Sequence, residues 1–314
     1  MVSLADEIVM IAEHAGAWDE VANGLAVRYE IHLTRGEVHD AQGDLERHLA
    51  LAEELKLRSQ SWHTAAHQAE LLLLLGRFAE AAACIDQALR LGAAAHGGEA
   101  MQTAAHQRLL LFLEQGGFEG GGVEDLRSPL ERLEADRPQD RVCTALLARL
   151  DCELGHEREA QARLNVLGKD GFHIVQRDAV WLMVITVLAD VAAMIGTREH
   201  IKALYGLLRP YSALVAGGPH LHFGSVSRYL GNLAAALSRL DEAALFLRDA
   251  AESDDRRGAL PWSAHAKADL ARVLLDRDAP GDREAADGFL REALTTYKEL
   301  GMTVAADKIL AELR

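Results

Sequence analysis

The chain has 314 residues, of which 49% are hydrophobic and 5% aromatic, enough apolar content for a continuous core and against global disorder. Its net charge of −15 gives a surface that repels phosphate backbones and anionic lipid, so direct nucleic-acid or membrane binding is not expected. Cys84, Cys143 and Cys152 form an odd set without CxxC spacing, which reads as no disulfide framework and a reducing, cytoplasmic setting.

Helical periodicity begins at once. Leu4, Ile8 and Ile11 form the expected inward stripe of a first helix that ends near Gly16, and acidic residues stand where a signal peptide would be basic. The longest apolar run, residues 179–189, is too short to span a bilayer. A second helix is expected from Trp18 toward Asp40, with Gly43 closing the turn and Leu45, Leu49, Ala52 and Leu55 facing inward on the return. Glu46 and Glu53 then face solvent.

The stretch from Ala69 to Gly92 states the recurring unit most plainly. An apolar helix ends at Gly76, Phe78 follows, and a second helix carries Ala81, Ile85 and Ala88 on one face. Two helices joined by so short a turn pack antiparallel. The unit recurs as pairs over residues 18–57, 62–91, 102–134, 141–167, 178–208, 225–252 and 263–300. An amphipathic segment over 302–314 is expected to cap the open end with a polar face. Turn markers at Gly43, Gly76, Gly116, Gly155, Gly196, Ser238 and Asp278 are 33 to 42 residues apart, the mark of a helical solenoid. TAAHQ occurs literally at 64–68 and again at 103–107. Residues 92–99, 168–171 and 215–223 read as flexible connections, and the whole chain as one array.

The turn-and-helix signature (a small residue, then Gly, an aromatic or Leu, Glu and Ala) resembles the tetratricopeptide repeat. Ala69, Ala148, Ala189, Gly231 and Ala271 take its small position on first helices; Ala81, Ala160, Ala243 and Ala286 take it on second helices. Ile201 and His48 depart from it and the period exceeds the usual length, so the match is to a divergent form. Nearly the whole chain, most specifically the GSVSRYLG block and the PW and APGDRE blocks downstream, resembles the C-terminal sensor region of large bacterial ATP-dependent LuxR-type and cyclase-linked ATPase regulators of the STAND class. The resemblance implies an all-α, right-handed superhelix of about seven helix pairs plus terminal helices. It also implies a sensor that relays occupancy to ATPase and output domains. No GxxxxGK[ST] loop and no basic recognition helix are present, so only the sensor arm is read here, cut from a larger protein or standing alone.

Candidate binding residues follow from that frame. His63 and His67 are four apart on a first helix and fall on the face expected to line the concave groove, and His106 repeats His67 one unit later. Together with Glu70 the two could chelate a divalent ion, but HxxxH lacks the HExxH general base, and no metal is assigned. His220 and His222 could share a side only on an extended segment; a loop over the solenoid edge is expected instead. Arg228, Tyr229 and Asn232 lie within one turn, as do Asp269 and Arg272, and are expected to bind an extended peptide or other ligand in the groove. Trp18, Trp62, Trp181 and Trp262 are expected to pack between helices. Neighbouring carboxylates such as Asp254 and Asp255 are read as solvated. No nucleophile elbow or oriented triad occurs, so neither catalysis nor a cofactor is expected. The expected function is recognition of a protein, peptide or small inducer, and the competing reading is a self-associating scaffold.

Overall fold

Helix after helix in this chain ends on the same backbone device. Beyond Leu75, Gly76 turns left-handed (φ 78°), its N–H bonds to Leu73 O, and the N–H of Arg77 reaches back to Leu72 O. Those paired bonds satisfy the last carbonyls and reverse the chain within three residues. The same reach recurs at Glu37, His156, Arg239, Ala259 and Met302, with Ser238 in place of glycine at one turn.

The computed structural model describes residues 2–93, 97–116 and 122–313. The chain is all-helical apart from one short hairpin. In order come α1 (Val2–Ala15), α2 (Trp18–Arg35), α3 (Val38–Glu54), α4 (Arg58–Leu74), α5 (Phe78–Gly92), α6 (Gly97–Gln115), α7 (Val123–Asp136) and α8 (Arg141–Glu153). Then follow α9 (Glu157–Gly168), α10 (Trp181–Ile195), α11 (Arg198–Leu208), the strands β1 (Val215–Gly218) and β2 (Leu221–Ser225), and α12 (Val226–Ala236). The chain ends with α13 (Leu240–Arg257), α14 (Leu260–Arg277), α15 (Asp282–Glu299) and α16 (Thr303–Glu312). The turn expected at 116–122 and the loop at 92–99 lie partly outside the described residues. Among the described residues no helix is long and apolar enough to cross a membrane.

Consecutive helices pack on one another, and the even-numbered helices from α4 to α14 also contact each other in succession, a solenoid-like arrangement with a continuous inner wall. Small residues make this possible. Ala69, Ala81, Ala148, Ala160, Ala189, Ala243, Ala271 and Ala286 are fully enclosed, so facing backbones approach closely and Leu and Phe fill the space around them. One hydrophobic cluster runs from Tyr29 in α2 to Ile309 in α16.

Several sequence expectations need correction. The α2–α3 turn lies at Gly36 (φ 75°), and Gly43 sits on the exposed face inside α3. Glu46 and Glu53 do face solvent, but Leu55 is exposed too. In α1 the buried stripe is Ala5, Val9 and Ala12, one residue on from the expected one, because Val9 nests against Gly24 of α2. Leu4, Ile8 and Ile11 are exposed. Trp62, Trp181 and Trp262 are buried, whereas Trp18 is half exposed.

The C-terminal segment does not sit at an open end. α16 packs on α6 and α14 on α4, so the last helices return to the first part of the array. Gly116 lets Val304 approach to where a Cβ would overlap it, and Thr303 donates to Gln115 O at 3.2 Å. At the α12–α13 contact a Cβ on Gly231 would stand 2.5 Å from Leu247 Cγ. Gly231→Leu should therefore overpack the pair and destabilise the chain by about 1–3 kcal/mol in urea unfolding. A neutral result would contradict this packing register.

Candidate functional site

Residues 215–225 place small residues, Ala216, Gly217 and Gly218, before Pro219 and His220, and the larger Leu221, His222 and Phe223 after them. Proline presets φ for the first corner of a tight turn, and His220 takes the left-handed conformation (φ 64°) that the second corner requires. Gly218 pairs with Leu221 across it. All nine strand residues are buried, so this segment is an interior hairpin, not a flexible loop over the edge. It touches α2, α4, α10, α13 and α14. At its far end Ser225 donates from N (3.1 Å) and Oγ (2.7 Å) to Asp254. Asp254 is thus a fully buried anchor, contrary to its reading as solvated, and Arg257 donates to it as well.

The hairpin occupies the face where an open groove was expected. His67 is 3% exposed, with its ring 4.4 Å from that of His220 and its Nε2 3.2 Å from Glu30 Oε1. His63 is half-buried and stacks beside Trp62 at 3.8 Å, with the His220 ring 5.7 Å away. His222 donates from Nδ1 to Glu70 Oε1 at 2.8 Å, and its Nε2 accepts from Thr34 at 3.3 Å. Gln107, from the second TAAHQ, donates to Ala66 O in the first and to His220 O, both at 2.9 Å. His106 is buried, with Nε2 3.5 Å from Cys143 Sγ. Burial pushes the Cys143 thiol up to about 12 and His106 down to about 4, so the thiol stays protonated and donates to a neutral ring.

A second polar region follows along the inner wall. Arg149 of α8 donates to Asp190 of α10 (2.6 Å), and Arg228 of α12 donates to Asp269 of α14 (2.8 Å), both across 41 residues of sequence. Asn232 shares Asp269 Oδ2 at 3.0 Å, and Arg272 holds its Oδ1 at 2.9 Å while also reaching Glu312. Burial works against the charges of this pair, but each partner outweighs it. Arg228 is held above the usual guanidinium range and Asp269 below the usual carboxylate range. Tyr229 is buried and donates to Phe223 O at 3.0 Å, which ties the hairpin to α12. His265 bridges Glu114 of α6 (2.7 Å) and Tyr297 of α15 (2.8 Å).

These groups line a partly open cavity of about 220 Å³. Its wall combines Arg149, Asp190, Arg228 and Asp269 with Leu110, Leu146, Val187, Phe223 and Trp262. The Trp262 indole N–H has no hydrogen-bond partner among the described residues. A wall carrying both signs of charge beside aromatic faces suits a small polar molecule, whose orientation the fixed guanidinium and carboxylate pairs would set.

The structure therefore divides the predicted residues. His63, His67 and His106 lie by the hairpin, His106 facing a separate, more open cavity of about 450 Å³. Arg228, Tyr229, Asp269 and Arg272 line the smaller one, and Asn232 braces it. Glu30, Glu114, Arg149, Asp190 and His265 were missed. Arg149 and Asp190 had a signal in the 41-residue spacing they share with Arg228 and Asp269. Glu30 stands at the same kind of spacing, 40 residues before Glu70, but its partner His220 is 190 residues away. No protein-family model matches the chain, and no curated protein matches it either.

His106 yields a pH prediction. Its folded pKa lies below the unfolded value, so below about pH 6.5 the unfolded chain binds a proton that the folded chain refuses. Its contribution is level above pH 6.5 and is lost as pH falls toward 4. Between pH 7 and pH 5 this one residue should lower stability by about 2 kcal/mol. Urea unfolding of His106→Gln should show a shallower loss over that range, and an unchanged slope would contradict the assignment.

Proposed function

We propose that the chain is a non-catalytic recognition module, a tetratricopeptide-like array that holds a small polar ligand in the cavity between α6, α8, α10, α12 and α14. The carrying observation is the two-signed wall: partly buried Arg228 and Asp269, braced by Asn232, line the cavity together with Arg149, Asp190 and apolar side chains. At about 220 Å³ the space is below the roughly 300–1,000 Å³ of drug-sized sites, which favours a small inducer over an extended peptide. The hairpin across the inner face argues the same way.

The reading as the sensor arm of a STAND-type bacterial regulator rests on the resemblance. Two of the stretches that carry it supply cavity wall here, Arg228 and Tyr229 from GSVSRYLG and Trp262 from the PW block. A ligand that binds only the closed arrangement would shift its population and bias an attached ATPase switch. Three free cysteines fit a cytoplasmic location.

A second reading, self-association as a scaffold, is favoured by one feature. On α1, Leu4, Ile8, Met10 and Ile11 are all more than 40% exposed.

Native mass spectrometry of the purified chain before and after denaturation separates the two. The expected result is a monomer with one small organic molecule that leaves on unfolding and is lost from Leu146→Trp, which fills the cavity. A bare symmetric oligomer, dissociated by Ile8→Asp, would favour the scaffold and count against the ligand cavity.

A further inference from the structure

Along most of the inner wall each buried or partly buried acid meets a base. Asp190 has Arg149, Asp269 has Arg228, and Glu114 has His265. Between α2 and α4 this pattern fails. Glu30 and Glu70 stand together there, and among the described residues their only ion-pair partners are histidines.

The geometry points to a divalent transition-metal site, of the kind that takes zinc, formed by Glu30 of α2, His67 and Glu70 of α4, and His220 of the hairpin. One ligand atom from each of the four lies within 4.8 Å of the others. Tetrahedral zinc with bonds of about 2.0–2.2 Å sets neighbouring ligand atoms roughly 3.3 Å apart. His67 Nε2 and Glu30 Oε1 already stand at 3.2 Å.

A second observation is independent of that clustering. Glu70 is 1% exposed, and among the described residues neither its Oε2 nor Nδ1 of His220 has a hydrogen-bond partner. Buried polar atoms are ordinarily paired, and two such orphans in one cluster of ligating side chains suit a missing cation. Two carboxylates and two neutral imidazoles also balance a charge of +2. Burial and the neighbouring Glu30 push Glu70 well above the usual carboxylate range, and burial holds His67 and His220 neutral. A bound cation would make the ionised carboxylate the stable form.

The surrounding contacts hold both carboxylates and the hairpin backbone in place. His222 fixes Glu70 through Oε1 and leaves Oε2 for the metal. Glu30 accepts from the His220 backbone N–H (3.1 Å), and Gln107 holds the His220 carbonyl. His220 keeps a left-handed backbone that a glycine would adopt without strain, so the turn retains an imidazole where its conformation favours none. His220 also lines the open cavity of about 450 Å³, which supplies an entry path. Four protein ligands close the coordination sphere, so the metal is a staple between α2, α4 and the hairpin and not a catalytic centre.

The test is titration of the full chain, stripped with a chelator, with Zn2+ or Co2+. One equivalent should bind and give the visible absorption of tetrahedral Co2+. Zinc at a hundred times Kd should raise Tm by about 5 °C. Glu70→Gln, which keeps the shape and removes a buried charge, and His220→Ala should each weaken zinc binding by at least about 100-fold while retaining helical circular dichroism. Absence of stoichiometric binding would overturn the proposal. So would equal affinity in both variants, which would place the metal on surface histidines such as His14, or equal affinity for Ca2+, which would exclude imidazole ligation.

Discussion

A charged group taken out of water must find a partner, and this array sets one, buried or partly buried, on every even-numbered helix from α2 to α14. They are Glu30, Glu70, Glu114, Arg149, Asp190, Arg228 and Asp269. An open solenoid would leave these groups to water. Here the hairpin and the returning C-terminal helices enclose most of them, and the partners come from the next turn of the array or from its far end. Lys308 closes on Glu153 at 3.0 Å, across 155 residues, and His265 on Glu114 across 151. Closure and internal charge pairing are therefore one problem: breaking either leaves buried charge uncompensated, which costs far more than an exposed pair is worth.

The hairpin is the piece that makes the interior continuous. Its backbone groups are satisfied at both ends by side chains from remote helices, Glu30 and Gln107 at the turn and Asp254 at Ser225. Buried irregular backbone survives only with such partners. Through Phe223, whose carbonyl accepts from Tyr229, the same hairpin runs from the histidine cluster to the wall of the smaller cavity. The two polar regions thus share one structural element. A change in how the hairpin seats would be felt in both.

What the sequence makes legible is whatever local packing dictates. Ala69, Ala81, Ala148, Ala243 and Ala271 announce close helix contacts because nothing larger fits, and Gly76 marks a turn because its backbone is left-handed. The all-helical class followed from these. The stripe of α1 was misread by one residue because a first helix packs chiefly on one neighbour, and Gly24, not apolar volume, chooses the buried side. The α2–α3 turn was misplaced because Gly36 and Gly43 both look like stops, and only one ends a helix. The site was legible in part. Arg228, Tyr229, Asp269 and the TAAHQ histidines were visible as repeat-phased polar groups, but the hairpin's insertion joins residues up to 190 apart, and no local pattern encodes that.

Everything above depends on residues 215–225 being an interior hairpin that closes the array. Hydrogen exchange resolved to single amides tests it most directly, by comparing the hairpin with the α4 and α10 helix cores. The amides of Leu221, His222 and Val226 should exchange only through global unfolding, as slowly as those cores. Exchange at the rate of an exposed loop, with α4 and α10 still protected, would contradict it: the hairpin would then lie outside a solenoid whose inner face is open to water.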